Sequence, residues 1–185
     1  MQVARDLQAL AHHGGITRLF RQPFDFASTR RHALVLLSTI FGSGMSSRLF
    51  QRVREELGLA YTVYAFHSFF QASGVAGVYV GTQPPTAERA AATIRDELTK
   101  LSRDSLTADE LASAKQQVKG QLVLALEGPV SRMYRLAGSA LYGETYKSLD
   151  TALAEIDAVT PEQVAAVAAE FYAPDRQVVI WLGPS

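Results

Sequence analysis

The stretch from Gly42 to Phe70 constrains the fold more than any other part of the chain. It begins with a glycine-containing loop, and Ser46 or Ser47 can then cap a helix, because a serine oxygen accepts a backbone N–H of the first turn. Four apolar residues at helical spacing follow, and a glycine after them is the residue type that ends helices. From Leu59 the residues become aromatic and β-branched, which is typical of a strand. The helical residues and the glycine are Leu49, Phe50, Val53, Leu57 and Gly58.

Arg54 and Tyr61 occupy unusual positions in this stretch. Arg54 lies at the edge of the apolar stripe, and Tyr61 begins the strand just after the predicted helix end. A single glycine turn between them can bring the guanidinium and the phenol close together. Their combined donors could hold a peptide carbonyl or an oxyanion. The alternative is an arginine whose stem packs on the stripe while its charged end stays in water.

The remaining pattern predicts an α+β fold with a sheet of about four to six strands, antiparallel or mixed, and helices on one face. Residues 59–70 and 75–82 form a predicted hairpin, and 177–182 form a final strand whose continuous apolar run suggests a central position. A fourth strand is expected near residues 16–20. Otherwise residues 1–27 match the pattern poorly, so we predict a separate N-terminal segment there and a single domain over 28–185.

Helix starts are marked most clearly by two capping boxes. Thr107 with Glu110, and Thr160 with Gln163, have the spacing in which two side chains satisfy each other's backbone N–H groups. An earlier helix, capped by Ser28 or Thr29, should end before Gly42. One further helix is predicted to begin at Thr86, and the helix capped by Thr107 should end at the break at residues 128–129. Another helix should follow that break and end near residues 142–143, and a short one should span 148–157.

Composition excludes several functional classes. The chain has 185 residues, is 48% hydrophobic, and carries 18 basic and 18 acidic residues. It can therefore bury a core, and it lacks the basic excess that nucleic acid or an anionic membrane would require. The absence of cysteine excludes disulfides and thiolate metal sites. No signal peptide or membrane span is evident, so we expect a soluble protein, and the lack of cysteine fits the cytoplasm and the periplasm alike.

The histidines offer no recognisable metal site. His12, His13, His32 and His67 include no H-x-x-E-H arrangement. His12 and His13 are adjacent, which is a poor geometry for sharing one ion. His67 has no carboxylate nearby in sequence, so packing is expected rather than base catalysis. The glycine loop at 42–44 could cradle a phosphate, but it lacks the preceding strand and the G-K-[ST] element of known phosphate loops.

The segments S-S-R-L-F and R-E-E-L-G-L-A-Y resemble the second, metal-free domain of the pitrilysin/insulinase family of zinc metallopeptidases, which includes the mitochondrial processing peptidases. The resemblance extends over residues 31–184. It implies an insulinase-like domain without catalytic residues or metal, which supplies Arg54 and Tyr61 to a peptide substrate. Zinc would be bound by a homologous H-x-x-E-H domain or subunit, and activity would require both halves. We expect association with that partner, or with a second copy in isolation.

Two alternatives remain at this stage. The chain could be a structural homologue without a protease role, like the core subunits of respiratory complex III, which also resemble this family. A purely structural copy need not keep the Arg54 and Tyr61 pair. The other alternative is a phosphate-ligand module that uses the glycine loop.

Overall fold

The computed structural model describes residues 16–22, 30–70, 74–104, 106–172 and 178–182, and for 16–22 only the backbone. The described strands are β1 (Ile16–Gln22), β2 (Thr62–Phe69), β3 (Gly74–Gly81) and β4 (Val178–Trp181). The described α-helices are α1 (Arg31–Gly42), α2 (Ala87–Arg103), α3 (Ala108–Ala125), α4 (Pro129–Tyr142), α5 (Leu149–Asp157) and α6 (Pro161–Phe171). A π-helix (Phe50–Glu56) and a 3₁₀ helix (Pro84–Thr86) complete them.

The sheet has four described strands in the order β2-β3-β1-β4, and all neighbours are antiparallel. The predicted α+β class and hairpin are confirmed, with a strand count at the lower end of the predicted range. β1 lies within the N-terminal segment 1–27 and pairs with both β3 and β4. The predicted central position of β4 is wrong, because β1 occupies the interior place and β4 pairs only with β1 among the described strands.

The core lies between the helices and one face of the sheet. Along β2, Val63 and Ala65 are buried while Thr62 and Tyr64 are exposed, which is the alternation of a strand with one face covered. α1 contributes the most completely buried side chains and contacts β2, α3 and α6. The largest fully buried core residues include Leu34, Leu36, Leu37, Phe41, Leu98, Leu101, Val164 and Tyr172. No helix in the described ranges is both long enough and apolar enough to cross a membrane.

Gly42 permits an unusually close contact between the last turn of α1 and β2. A Cβ atom added to Gly42 would lie 2.3 Å from the backbone nitrogen of Ala65 and 2.6 Å from its Cβ atom. Atoms that are not bonded to each other do not come this close, so only glycine fits at this position unless α1 and β2 separate. This contact fixes the point from which the loop and the π-helix leave the core.

Both predicted capping boxes are confirmed. Thr107 Oγ1 accepts the Glu110 N–H at 3.1 Å, and the Thr107 N–H donates to the Glu110 carboxylate at 3.0 Å. The same reciprocal bonds join Thr160 and Gln163.

The prediction that Ser46 or Ser47 caps the helix after the glycine loop is wrong. Ser47 Oγ instead donates to the Gly44 carbonyl at 2.7 Å, and the π-helix has no side-chain cap. Arg30 precedes α1, and the other predicted caps, Ser28 and Thr29, lie outside the described residues.

Glu110 also forms a two-point ion pair that links the start of α3 to Arg48. Arg48 Nε and Nη2 donate to the two carboxylate oxygens at 2.7 and 2.9 Å. The hydrogen bonds from the Arg48 guanidinium lower the pKa of Glu110 from its usual 4.5 to about 2. Burial, the next largest effect, opposes this shift. A lowered carboxyl pKa means that the pair stabilises the fold above about pH 4.5 and loses that effect as the pH falls toward 2.

Glu110→Gln should therefore lower the free energy of unfolding by about 1–2 kcal/mol at pH 7, since the pair is partly exposed. Glutamine keeps the capping box, as Gln163 does in α6, so the substitution removes the charge and one of the two oxygens that accept from Arg48. Urea denaturation at several pH values should show the difference between the two proteins shrinking as the pH falls from about 4.5 toward 2. A difference that is the same at every pH would instead indicate a loss of packing or capping.

Candidate functional site

The π-helix and the glycine after it determine where Arg54 and Tyr61 lie. In a π-helix the backbone bonds span five residues, which widens the turn and is often associated with functional sites. Gly58 adopts φ +58°, a left-handed value suited to glycine, and the Leu59 N–H then donates to the Val53 carbonyl at 2.9 Å. The chain thereby reverses directly, and Tyr61 follows beside the end of the helix.

The Arg54 guanidinium lies against two aromatic rings. Its central carbon is 5.0 Å from the centre of the Tyr61 ring and 4.7 Å from that of Phe50. Both distances are within the range of cation–π attraction, which is worth about 0.5–1 kcal/mol per contact at exposed sites. The phenol remains accessible, since Tyr61 is 80% exposed. The structure thus brings together the two residues singled out in the sequence.

Arg54 forms only a long ion pair among the described residues. Its Nε lies 3.7 Å from Glu55 Oε1, beyond hydrogen-bonding distance, and both side chains are partly exposed. The guanidinium therefore retains donors for another group. The predicted alternative, a packed stem with a fully solvated charged end, describes this arrangement only in part, because the guanidinium itself rests on two rings.

Arg54 and Tyr61 border an open groove of about 720 Å³. Among the described residues that line it, Arg54 is the only charged side chain. The Thr82 hydroxyl donates to the Leu59 carbonyl at 2.6 Å and lies 2.7 Å from the Thr86 hydroxyl. These contacts hold the groove wall in place. The groove therefore presents one cation and the exposed Tyr61 hydroxyl, which suits a ligand with carbonyl oxygens.

Sequence reasoning missed Phe50 as a support for Arg54, and Thr82 and Thr86 as part of the groove. The sequence pattern places Phe50 on the apolar stripe, but Phe50 also precedes Arg54 by four residues and so shares its face of a helix. The hairpin register pairs Thr62 with Gly81, which brings the end of β3 next to the start of β2. A predicted register would have indicated that Thr82 lies near Tyr61.

The described histidines are engaged elsewhere. His32 Nε2 lies 3.2 Å from Glu155 Oε2, and burial, followed by the charge of Arg31, lowers its pKa. His67 is half-buried against Phe69, and burial lowers its pKa. No group of three His, Asp or Glu side chains within the described ranges is arranged to bind a metal. His12 and His13 lie outside those ranges.

The glycine loop offers little to a phosphate group. The Ser43 and Ser47 N–H groups donate to the Thr39 and Gly44 carbonyls, each at 3.2 Å. Gln117 Nε2 donates to the Ser43 carbonyl, also at 3.2 Å. Two loop N–H groups are therefore already bonded within the protein, which disfavours the phosphate alternative.

The family model described as the peptidase M16 inactive domain matches residues 20–118. The chain belongs to this family. The predicted resemblance to a metal-free domain of this peptidase class is thus confirmed. Among curated relatives, an uncharacterized zinc protease of Bacillus subtilis, YmxG, is 38% identical over 84% of this M16 inactive domain and 38% of its own length. Another from Streptomyces coelicolor, SCO5738, is 45% identical over 75% of the domain and 30% of its own length. The chain thus spans only 38% and 30% of the length of these two relatives.

Solved structures share the fold of this M16 inactive domain. A peptidase M16 inactive domain from Pseudomonas fluorescens superposes with a TM-score of 0.81 at 24% identity, covering 93% of this chain and 42% of that chain. A chain of Complex III2 from Candida albicans gives a TM-score of 0.80 at 20% identity, covering 92% and 43%. At these identities the likeness concerns the fold alone.

Proposed function

We propose that this M16 inactive domain is the substrate-binding half of a zinc peptidase, in which Arg54 and Tyr61 contact a peptide held between this chain and a zinc-bearing H-x-x-E-H half. The observation that carries the proposal is the Arg54 guanidinium resting on the Tyr61 ring at the edge of an open groove. Both side chains keep donors available there, and no described acid lines the groove.

The geometry suits the stabilisation of a peptide carbonyl that becomes negatively charged. The two rings restrict the orientation of the guanidinium, so less rotational freedom is lost when it donates to an oxygen. The Tyr61 hydroxyl can add a second donor. Donors fixed in advance are the most effective stabilisers of an oxyanion. Zinc in the partner half would activate the attacking water.

The relatives support a two-part arrangement. They are named as zinc proteases, and this chain spans 38% and 30% of the two described above. More than half of each relative therefore lies outside the matched region, which leaves room for a second domain with the metal ligands.

The purified chain alone should cleave no peptide and hold no stoichiometric zinc. Adding it to the part of the Bacillus subtilis protease outside the matched region should raise the rate of peptide cleavage about 10²-fold or more over that part alone. The reason is that this chain then supplies the donors to the peptide carbonyl. Cleavage is measured with fluorogenic peptides, and zinc by elemental analysis of each component. The matched region of the Bacillus subtilis protease itself serves as the positive control.

Equal cleavage with and without this chain, while the positive control accelerates the reaction, would contradict the proposal. That outcome would favour a structural homologue without a protease role, which is the second candidate. The observation behind that candidate is the fold shared with the Complex III2 chain.

A further inference from the structure

Helix α4 has one apolar and one polar side. At about 100° per residue, its apolar residues fall within a continuous arc of about 160°. The opposite side carries serine and arginine residues, one glycine and Tyr142. The apolar arc comprises Val130, Met133, Tyr134, Leu136, Ala137, Ala140 and Leu141.

The apolar side of α4 faces solvent, while the polar side faces the domain. The five large apolar residues Val130, Met133, Tyr134, Leu136 and Leu141 are between 53% and 75% exposed, and α4 has no buried residue. We call these five residues the α4 apolar face. A helix of a globular domain normally turns its apolar side toward the core. The reversed orientation indicates a surface that another protein covers.

Contacts on the polar side hold α4 in this orientation. Arg135 Nη2 donates to the Lys147 and Ser148 carbonyls at 2.9 and 3.3 Å. The Arg135 guanidinium also lies 5.6 Å from the centre of the Tyr146 ring. The helix is therefore attached to the segment before α5 through its arginine side, which leaves the apolar face free for a partner.

A cavity of about 380 Å³ lies at the start of α4. Its walls include Val123 of α3, Leu126 directly after α3, Arg132 of α4, and Tyr146 and Leu149. Glu127 lines it as well, and Arg132 reaches it from the polar side of α4, so this cavity is separate from the α4 apolar face.

We infer that the α4 apolar face is the surface on which the zinc-bearing half docks, an inference that rests on the proposed function. The relatives extend well beyond the matched region, since this chain spans 38% of the Bacillus subtilis protease and 42% of the Pseudomonas fluorescens chain. That additional length can supply a domain to cover the face. The face itself carries no charge, so it fits an apolar protein surface better than nucleic acid or an anionic lipid.

The test replaces Met133 and Leu136 together with glutamate. Binding of the chain to the part of the Bacillus subtilis protease outside the matched region is measured by calorimetry. Because a buried carboxylate without a partner is strongly unfavourable, the affinity should fall about 100-fold or more. Ala166→Glu on the exposed side of α6 is the matched control, and its affinity should stay within about twofold of the original, as expected for a site outside the contact.

Folding of the double variant is checked by circular dichroism, and α4 has no buried side chain whose loss would unfold the domain. Unchanged affinity of the double variant would overturn the inference, as would no binding by the original chain. A dimer of the original chain that the substitutions dissociate would assign the face to a second copy. Binding to anionic phospholipid vesicles that the substitutions abolish would assign it to a membrane.

The outcomes also separate this inference from the proposed function. Arg54 lies in the groove and not on the docking face. Arg54→Ala should therefore leave the affinity for the partner within about twofold. If the α4 variant fails to assemble while Arg54→Ala leaves cleavage unchanged, the docking surface stands and the proposed function fails. If Arg54→Ala abolishes cleavage while the α4 variant assembles normally, only the docking surface fails.

Discussion

Arg54→Ala should lower the rate of peptide cleavage by the assembled two-part protease about 10²–10³-fold, the usual cost of losing one donor to a developing oxyanion. Its effect on the free energy of unfolding should be small, about 1 kcal/mol or less, because only partly exposed ring contacts are lost. The measurement pairs single-turnover cleavage with urea denaturation of the isolated chain. A large loss of stability, with normal cleavage by the folded fraction, would assign Arg54 a structural role.

Tyr61→Phe isolates the hydroxyl group, because the ring that supports Arg54 remains. Cleavage should again fall about 10²–10³-fold if the hydroxyl donates to the same oxygen. The double variant Arg54→Ala/Tyr61→Phe should lose less than the product of the two single effects, since both groups would act on one carbonyl. Losses that simply multiply would indicate that the residues act on separate parts of the substrate.

Arg52→Ala is the matched control for Arg54. Arg52 lies on the same π-helix, pairs with Glu56 and does not line the groove. Removing it should leave cleavage within about twofold, as expected for an exposed ion pair of small energetic value. A comparable loss of cleavage from Arg52→Ala would show that the general positive charge of the helix matters, rather than the position of Arg54.

Gly42→Ala should lower the free energy of unfolding by about 3 kcal/mol, at the upper end of the effects seen when a packed core receives extra atoms. The added methyl group would overlap the backbone of Ala65, which cannot move aside as a flexible side chain could. α1 and β2 must therefore separate, and the π-helix that carries Arg54 leaves from the same end of α1. Chemical denaturation of the isolated chain measures the effect.

Gly120→Ala should have the opposite effect on the stability of the protein. Gly120 lies in α3, and a Cβ added there meets no atom within 4 Å. Alanine should stabilise the protein by about 0.5–1 kcal/mol, because it favours the helix and restricts the unfolded chain. If both substitutions destabilised the protein equally, the close contact at Gly42 would not be the cause of its effect.

Local sequence signals predicted the features that depend on neighbouring residues. Both capping boxes and the helix end at Gly58 are present as expected. The proximity of Arg54 and Tyr61 also follows from the short turn between them. In each case a few adjacent residues determine the geometry, so the rest of the fold has little influence on the outcome.

Features that depend on distant contacts were not predictable in the same way. The apolar run of β4 suggested a central strand, but β1 takes the interior position and the sequence gives no sign of that order. The π-helix cannot be distinguished from an α-helix by an apolar stripe of four residues. The periodicity of α4 predicts an amphipathic helix, but it does not reveal that the apolar side turns away from the domain.

The position of β1 has a consequence for the order of folding. The β2–β3 hairpin joins neighbouring segments, so it can form early at a small cost in chain entropy. β1 must instead pair with β4, with almost the whole chain between Ile16 and Trp181. Contacts between such distant segments form slowly. On the ribosome, the hairpin and α1 can therefore assemble first, while the sheet closes only after Trp181 has been synthesised.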